Sequence, residues 1–152
     1  MVAGHFRDHR YIHPTFGFEL EFPASWPIDD TPAGAQTDAS ADYMDATVTR
    51  SGTHTEPSDV EVSFFVDVEP EPGLMEMPAE PDLEVLAERR VQVPPANVTV
   101  ADTTFRYEGW VPGARKRRVV VEGEGLALIV MITYDEADAG VTDGLVTAMR
   151  VR

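Results

Sequence analysis

The chain has 152 residues, 27 of them acidic and 12 basic, a net charge of −15, no cysteine, and 43% of its residues in the hydrophobic set. That is enough chain for one core, and without cysteine it holds no disulfide framework, thiol nucleophile or thiolate metal site. The charge argues against nucleic acid or an anionic membrane as partner, and no window approaches the roughly 18 apolar residues of a membrane span, so no membrane insertion is expected.

Met1–Arg10 is polar, reads as a flexible arm, and lacks the apolar stretch of a signal peptide. A single domain is then expected over 11–152. Phe16, Phe18, Leu20 and Phe22 alternate with Gly17, Glu19 and Glu21 as in a half-buried strand, which Pro23 to Pro27 ends around Trp26. Residues 28–40 read as a loop, and Tyr43–Arg50 as a second, weakly alternating strand. Val60, Val62, Phe64, Val66 and Val68 form the clearest amphipathic strand, with the valines and Phe64 facing inward.

Glu69–Pro81 carries four prolines and reads as a loop. Asp82 then caps an expected helix in which Leu83, Leu86, Ala87 and Val91 recur at helical spacing before Pro94-Pro95. Asn97–Ala101, Thr104–Val111, Arg115–Glu122 and Leu126–Tyr134 follow as an antiparallel meander, broken at Asp102-Thr103, Pro112-Gly113 and Gly123-Glu124-Gly125. Leu126–Tyr134 is apolar on both faces and is placed at the sheet centre. The tail Asp135–Met149, with Val141, Leu145 and Met149 at i, i+4 and i+8, supplies a second helix as cover. The fold expected is therefore α+β, an antiparallel sheet covered by helices.

Charge is uneven along this order. Asp29–Glu88 holds 16 acids and a single base, Arg50, whereas Arg89–Arg152 holds nine bases and eight acids. The acidic half reads as a solvated, salt-adapted surface or as a face for a basic partner. The basic run Arg115, Lys116, Arg117 and Arg118 lies in an expected strand, so it divides into Arg115/Arg117 on one face and Lys116/Arg118 on the other. One pair should answer the acidic half within the molecule; the patch is a candidate site for an anion or an acidic partner.

His5, His9 and His13 stand at i, i+4 and i+8 and would line one face of a helix with Asp8, but Pro14 and Tyr11-Ile12 argue against a helix there. His54 sits between Ser51 and Glu56, close in one loop but without the rigid elements or elbow that a triad needs. Asp38, Asp42 and Asp45 lack the order of a calcium loop. Leu74, Met75 and Met77 stand among the loop prolines, either as an adaptable surface for a partner or folded back over the sheet.

The run Tyr11-Ile-His-Pro-Thr-Phe16-Gly17-Phe18-Glu-Leu20-Glu-Phe22-Pro23-Ala-Ser-Trp26 resembles the opening of PsbP-like domains, including the bacterial DcrB-like proteins. It also looks like the non-catalytic C-terminal domain of some bacterial zinc metallopeptidases, although no His-Glu-x-x-His is present. The resemblance implies a PsbP-like fold and a binding or assembly role, as in lipoproteins and chaperone-like adaptors. It carries over no site residue. The function expected is thus a non-enzymatic module that binds another protein through Leu74, Met75 and Met77, with no cofactor or metal. The alternatives are a detached peptidase domain, or a small hydrolase or metal-dependent enzyme using His54 or the N-terminal histidines.

Overall fold

Period-two alternation, more than any helical pattern, organises the chain. The computed structural model describes residues 4–28, 43–52, 59–68, 70 and 73–152. Within them run β1 (His5–Arg7), β2 (Arg10–His13), β3 (Phe18–Glu21), β4 (Tyr43–Thr49), β5 (Glu61–Asp67), β6 (Leu83–Val93), β7 (Val98–Tyr107), β8 (Ala114–Glu122), β9 (Ala127–Asp135), a 3-10 turn, α1 (Ala139–Thr147) and β10 (Met149–Val151). They form a four-stranded sheet, β1-β2-β3-β10, and a six-stranded sheet, β4-β5-β9-β8-β7-β6, whose neighbours are all antiparallel.

The expected α+β fold, a sheet covered by helices, is overturned: the protein is mostly β, with one short α-helix among the described residues. The decisive segment is Leu83–Val93, expected as a helix and found as β6, paired with β7 from Leu83↔Tyr107 to Val93↔Val98. A register shift between Val85 and Ala87 makes Leu86 the extra residue of a bulge, so apolar residues spaced three and four apart coexist with a strand. The pairing with β7 overrides the helix preference of Leu, Glu, Ala and Arg. Leu86, which on the apolar face of the expected covering helix would pack on the sheet, is instead 40% exposed. The break expected at Asp102-Thr103 is also absent, because β7 runs through both residues.

The N-terminal residues read as a loose arm instead form β1, paired with β2 through His5↔Ile12, Phe6↔Tyr11 and Arg7↔Arg10. Leu126–Tyr134 lies where its two apolar faces require, as β9 between β5 and β8.

One face of the large sheet, the inner face, carries Val62, Phe64 and Val66 of β5, Val119 and Val121 of β8, and Leu128, Val130 and Ile132 of β9, all buried. Against it pack Tyr11, Phe18, Leu20, Met149 and Val151 from the small sheet and Leu145 and Val146 from α1. Tyr11 stacks on Phe64 with ring centroids 3.7 Å apart. Trp26 is buried against Phe22 and closes one end of this core. The architecture is two sheets packed face to face, with α1 plugging the remaining gap.

Candidate functional site

The basic run lies on β8, where directly opposed residues of neighbouring strands share a face. Register places Arg117 beside Thr104 and Ile132 on the inner face, and Arg118 beside Thr103 and Met131 on the outer one. The structure therefore separates Arg115/Arg117 from Lys116/Arg118.

On the inner face Arg117, 3% exposed, grips Asp102 with two parallel bonds, Nε to Oδ1 at 2.8 Å and Nη2 to Oδ2 at 2.7 Å. Its Nη1 donates to Thr142 Oγ1 at 3.1 Å and Asp143 Oδ1 at 2.6 Å, so the same guanidinium fastens α1 to the sheet. Arg89 adds a bond to Asp102 Oδ2 at 2.9 Å. Burial works against the charged Arg117, but the hydrogen bonds and charges of Asp102 and then Asp143 outweigh it and hold Arg117 above its ordinary pKa. Arg115 pairs with Glu136 at 2.9 Å. The acids that answer this pair, Asp102, Glu136 and Asp143, all lie outside the acidic half, so the pairing expected between that half and the basic run is not the one Arg115 and Arg117 make. Arg50, the single base of that half, meets Asp59 and Asp138.

On the outer face the loop residues 73–80 act as a strap. Leu74 and Met75 pack on Ala101, Val120 and Ala127. Arg118 ties the strap down, donating from Nη2 to the Leu74 carbonyl at 2.7 Å and from Nη1 to Met77 Sδ at 3.4 Å. The Tyr107 phenol is raised in pKa, first by burial and then by the nearby Glu80 carboxylate. Among the described residues Arg118 has no carboxylate partner, and burial lowers its pKa. Thr103, its register neighbour and 1% exposed, has a hydroxyl with no hydrogen-bond partner among the described residues. Lys116 lies over the Trp110 ring at 5.9 Å. Beside the strap, Glu76, Met77, Glu88, Arg89 and Arg90 line a groove of about 440 Å³. The sequence-predicted contact residues Leu74, Met75 and Met77 are thus half-buried, and only Met77 reaches the groove.

The three N-terminal histidines share no helical face, because they occupy a β-hairpin. His9, in the turn with φ of 61°, donates from Nε2 to the Trp26 carbonyl at 2.7 Å. His13 is fully buried, edge-on to Phe16 at 4.9 Å, and among the described residues neither ring nitrogen has a hydrogen-bond partner. Burial is the main cause of its lowered pKa, with Asp45 opposing. Asp45 accepts from the Tyr11 hydroxyl. Among the described residues no group of three His, Cys, Asp or Glu could hold a metal ion. His54, Asp38 and Asp42 lie outside the described residues. No helix of the described residues is long and apolar enough to cross a membrane.

Sequence reasoning missed Asp102, Thr103 and β6. The signal available was the alternation Ala87, Arg89, Val91, Val93, which matches a strand as well as the i+3 and i+4 spacing matches a helix. No protein-family model, curated protein or solved structure matches the chain.

Proposed function

We propose that this protein is a non-enzymatic module that captures an extended segment of another protein along β6. The observation that carries this reading is β6 itself: eleven residues at the end of the six-stranded order, exposed over most of its length on both faces, with Val85 41% and Leu86 40% exposed. A strand at a sheet edge presents unpaired backbone donors and acceptors, and an extended peptide that adds there gains a ladder of hydrogen bonds. Val85 and Leu86 offer adjacent exposed apolar contacts at the bulge. Met77 and Glu76 lie across the groove from Glu88 and Arg90, so a segment on β6 also passes the strap. Leu74 and Met75 contribute by seating the strap rather than by direct contact. The inner-face polar groups support the same reading from the other side, since Arg117, Asp102 and Thr142 are consumed in holding α1.

Replacing both Val85 and Leu86 with Lys tests it. These exposed positions should tolerate the change with a nearly unaltered melting temperature, while capture of the partner from the native host is lost and, in the wild-type complex, the Leu83–Val93 amides become protected from hydrogen exchange. A partner that binds the double variant equally well, or that leaves β6 amides exchanging as in the free protein, would sink the proposal.

A further inference from the structure

We infer that Arg118 and Thr103, beneath the strap, form a binding site for a small oxyanion, a carboxylate or a phosphate. The site is separate from strand addition at β6, and its test does not depend on that reading.

A buried charge calls for compensation. A guanidinium has five donors and a charge to neutralise, and inside a protein it ordinarily does so with a carboxylate. Arg118, 8% exposed, donates instead to one neutral carbonyl and one thioether. Sulfur is a weak acceptor, so the bond from Nη1 to Met77 Sδ is the one an incoming oxygen anion displaces at least cost. The second observation is independent: the Thr103 hydroxyl is buried and unpartnered, in direct register with Arg118 on the same face. Adjacent antiparallel strands lie about 4.8 Å apart, so the two side chains are neighbours on one face and an oxyanion beneath the strap can meet both.

Access follows from the same register. Glu88 of β6 opposes Thr103, and Glu88 lines the groove together with Met77. The Met77 side chain therefore stands between the groove and Arg118, and its three rotatable bonds let it swing aside. Two cations reinforce the site, Lys116 two residues along β8 and Arg90 on the groove wall, while Glu76 and Glu88 oppose them. The two acids limit the site to a small anion of one or two charges, and their removal should tighten binding.

The test is a titration of the full chain with sodium phosphate and, in a second arm, sodium acetate, each against sodium chloride at matched ionic strength. The readouts are the Arg118 Nε–H and Thr103 amide resonances. A saturable shift is expected in one or both arms, and the stronger arm identifies phosphate or carboxylate as the preferred chemistry. Arg118→Met should weaken binding by about tenfold or more and Thr103→Val by several-fold, whereas Met77→Leu, which removes the competing acceptor, should bind as tightly as wild type or tighter. Should Arg118→Met fail to fold, the other two variants decide the matter: Thr103→Val must weaken binding while Met77→Leu must not. Shifts that do not saturate, equal binding by Arg118→Met, or weaker binding by Met77→Leu would each overturn the assignment.

Discussion

Arg117 and Arg118 are neighbours in sequence, both buried, and live in opposite electrostatic worlds. On the inner face Arg117 meets two carboxylates and a hydroxyl, and is held above its ordinary pKa despite burial. On the outer face Arg118 meets a carbonyl and a sulfur, and burial lowers its pKa. The difference teaches what each face is for. A charge placed where two sheets and a helix close must be paired to be tolerated, and once paired it fixes geometry. A charge placed under a single strap of chain is tolerated with less, because the strap can yield.

The largest effect should come from breaking the paired side. Arg117→Met leaves Asp102, whose side chain is 1% exposed, with only Arg89, itself 56% exposed, as counter-charge. The expected loss is about 3–5 kcal/mol in urea unfolding, most of it recovered when Asp102 is changed to Leu as well, since the pair then leaves no stranded ion. A single variant costing under about 1 kcal/mol would place Arg117 with surface ion pairs and erase the contrast between the faces.

His13, on the core-facing side of the small sheet, is the exception that sharpens the comparison, being a titratable group whose ring nitrogens have no hydrogen-bond partner among the described residues. Its folded-state pKa is lowered, chiefly by burial, from the ordinary imidazole value of 6.5. The folded protein therefore binds this proton less readily than the unfolded chain, so its neutral form supports the fold fully above pH 6.5 and stability falls as the pH drops below that value towards the folded-state pKa. Asp45 is the nearby acid opposing the shift and His5 a second group that adds to it. Melting temperature measured between pH 7.5 and 5, values chosen to bracket roughly the ordinary imidazole range, should decline in wild type and flatten in His13→Leu. Equal slopes in the two proteins would assign the acid sensitivity to other groups.

The two faces also differ in how much of them the sequence reveals. The inner face is legible: the apolar face of the Val60–Val68 alternation, Leu128, Val130 and Ile132 of the doubly apolar run, and Trp26 are all buried in the core. Alternation by itself also assigns Arg117 and Arg118 to opposite faces. What escapes is non-local. Asp102-Thr103 reads as a turn from composition, but Asp102 is drawn into a strand by Arg117, fifteen residues away. β6 reads as a helix because its bulge mixes two periods, and only pairing with β7 resolves them. The site at Thr103 and Arg118 depends on cross-strand register, which no local pattern encodes.

The smallest expected effect is on the unpaired side. Arg118→Met removes a desolvated charge and replaces it with an unbranched apolar side chain of similar reach, next to Leu74, Met75 and Met77. Lost are the bond to the Leu74 carbonyl, which sits in a half-exposed strap and can turn to water, and the weak bond to sulfur. Gained is relief from burying an ion without a counter-ion. The two nearly cancel, and the change in unfolding free energy should lie within about 1 kcal/mol of zero, in either direction. The measurement that sharpens this is the same urea titration used for Arg117→Met, run side by side. Comparable losses in the two variants would mean that the strap is as rigid as the inner clamp and that Met77 does not yield to an incoming anion; a loss confined to Arg117→Met leaves the strap free to open over Arg118.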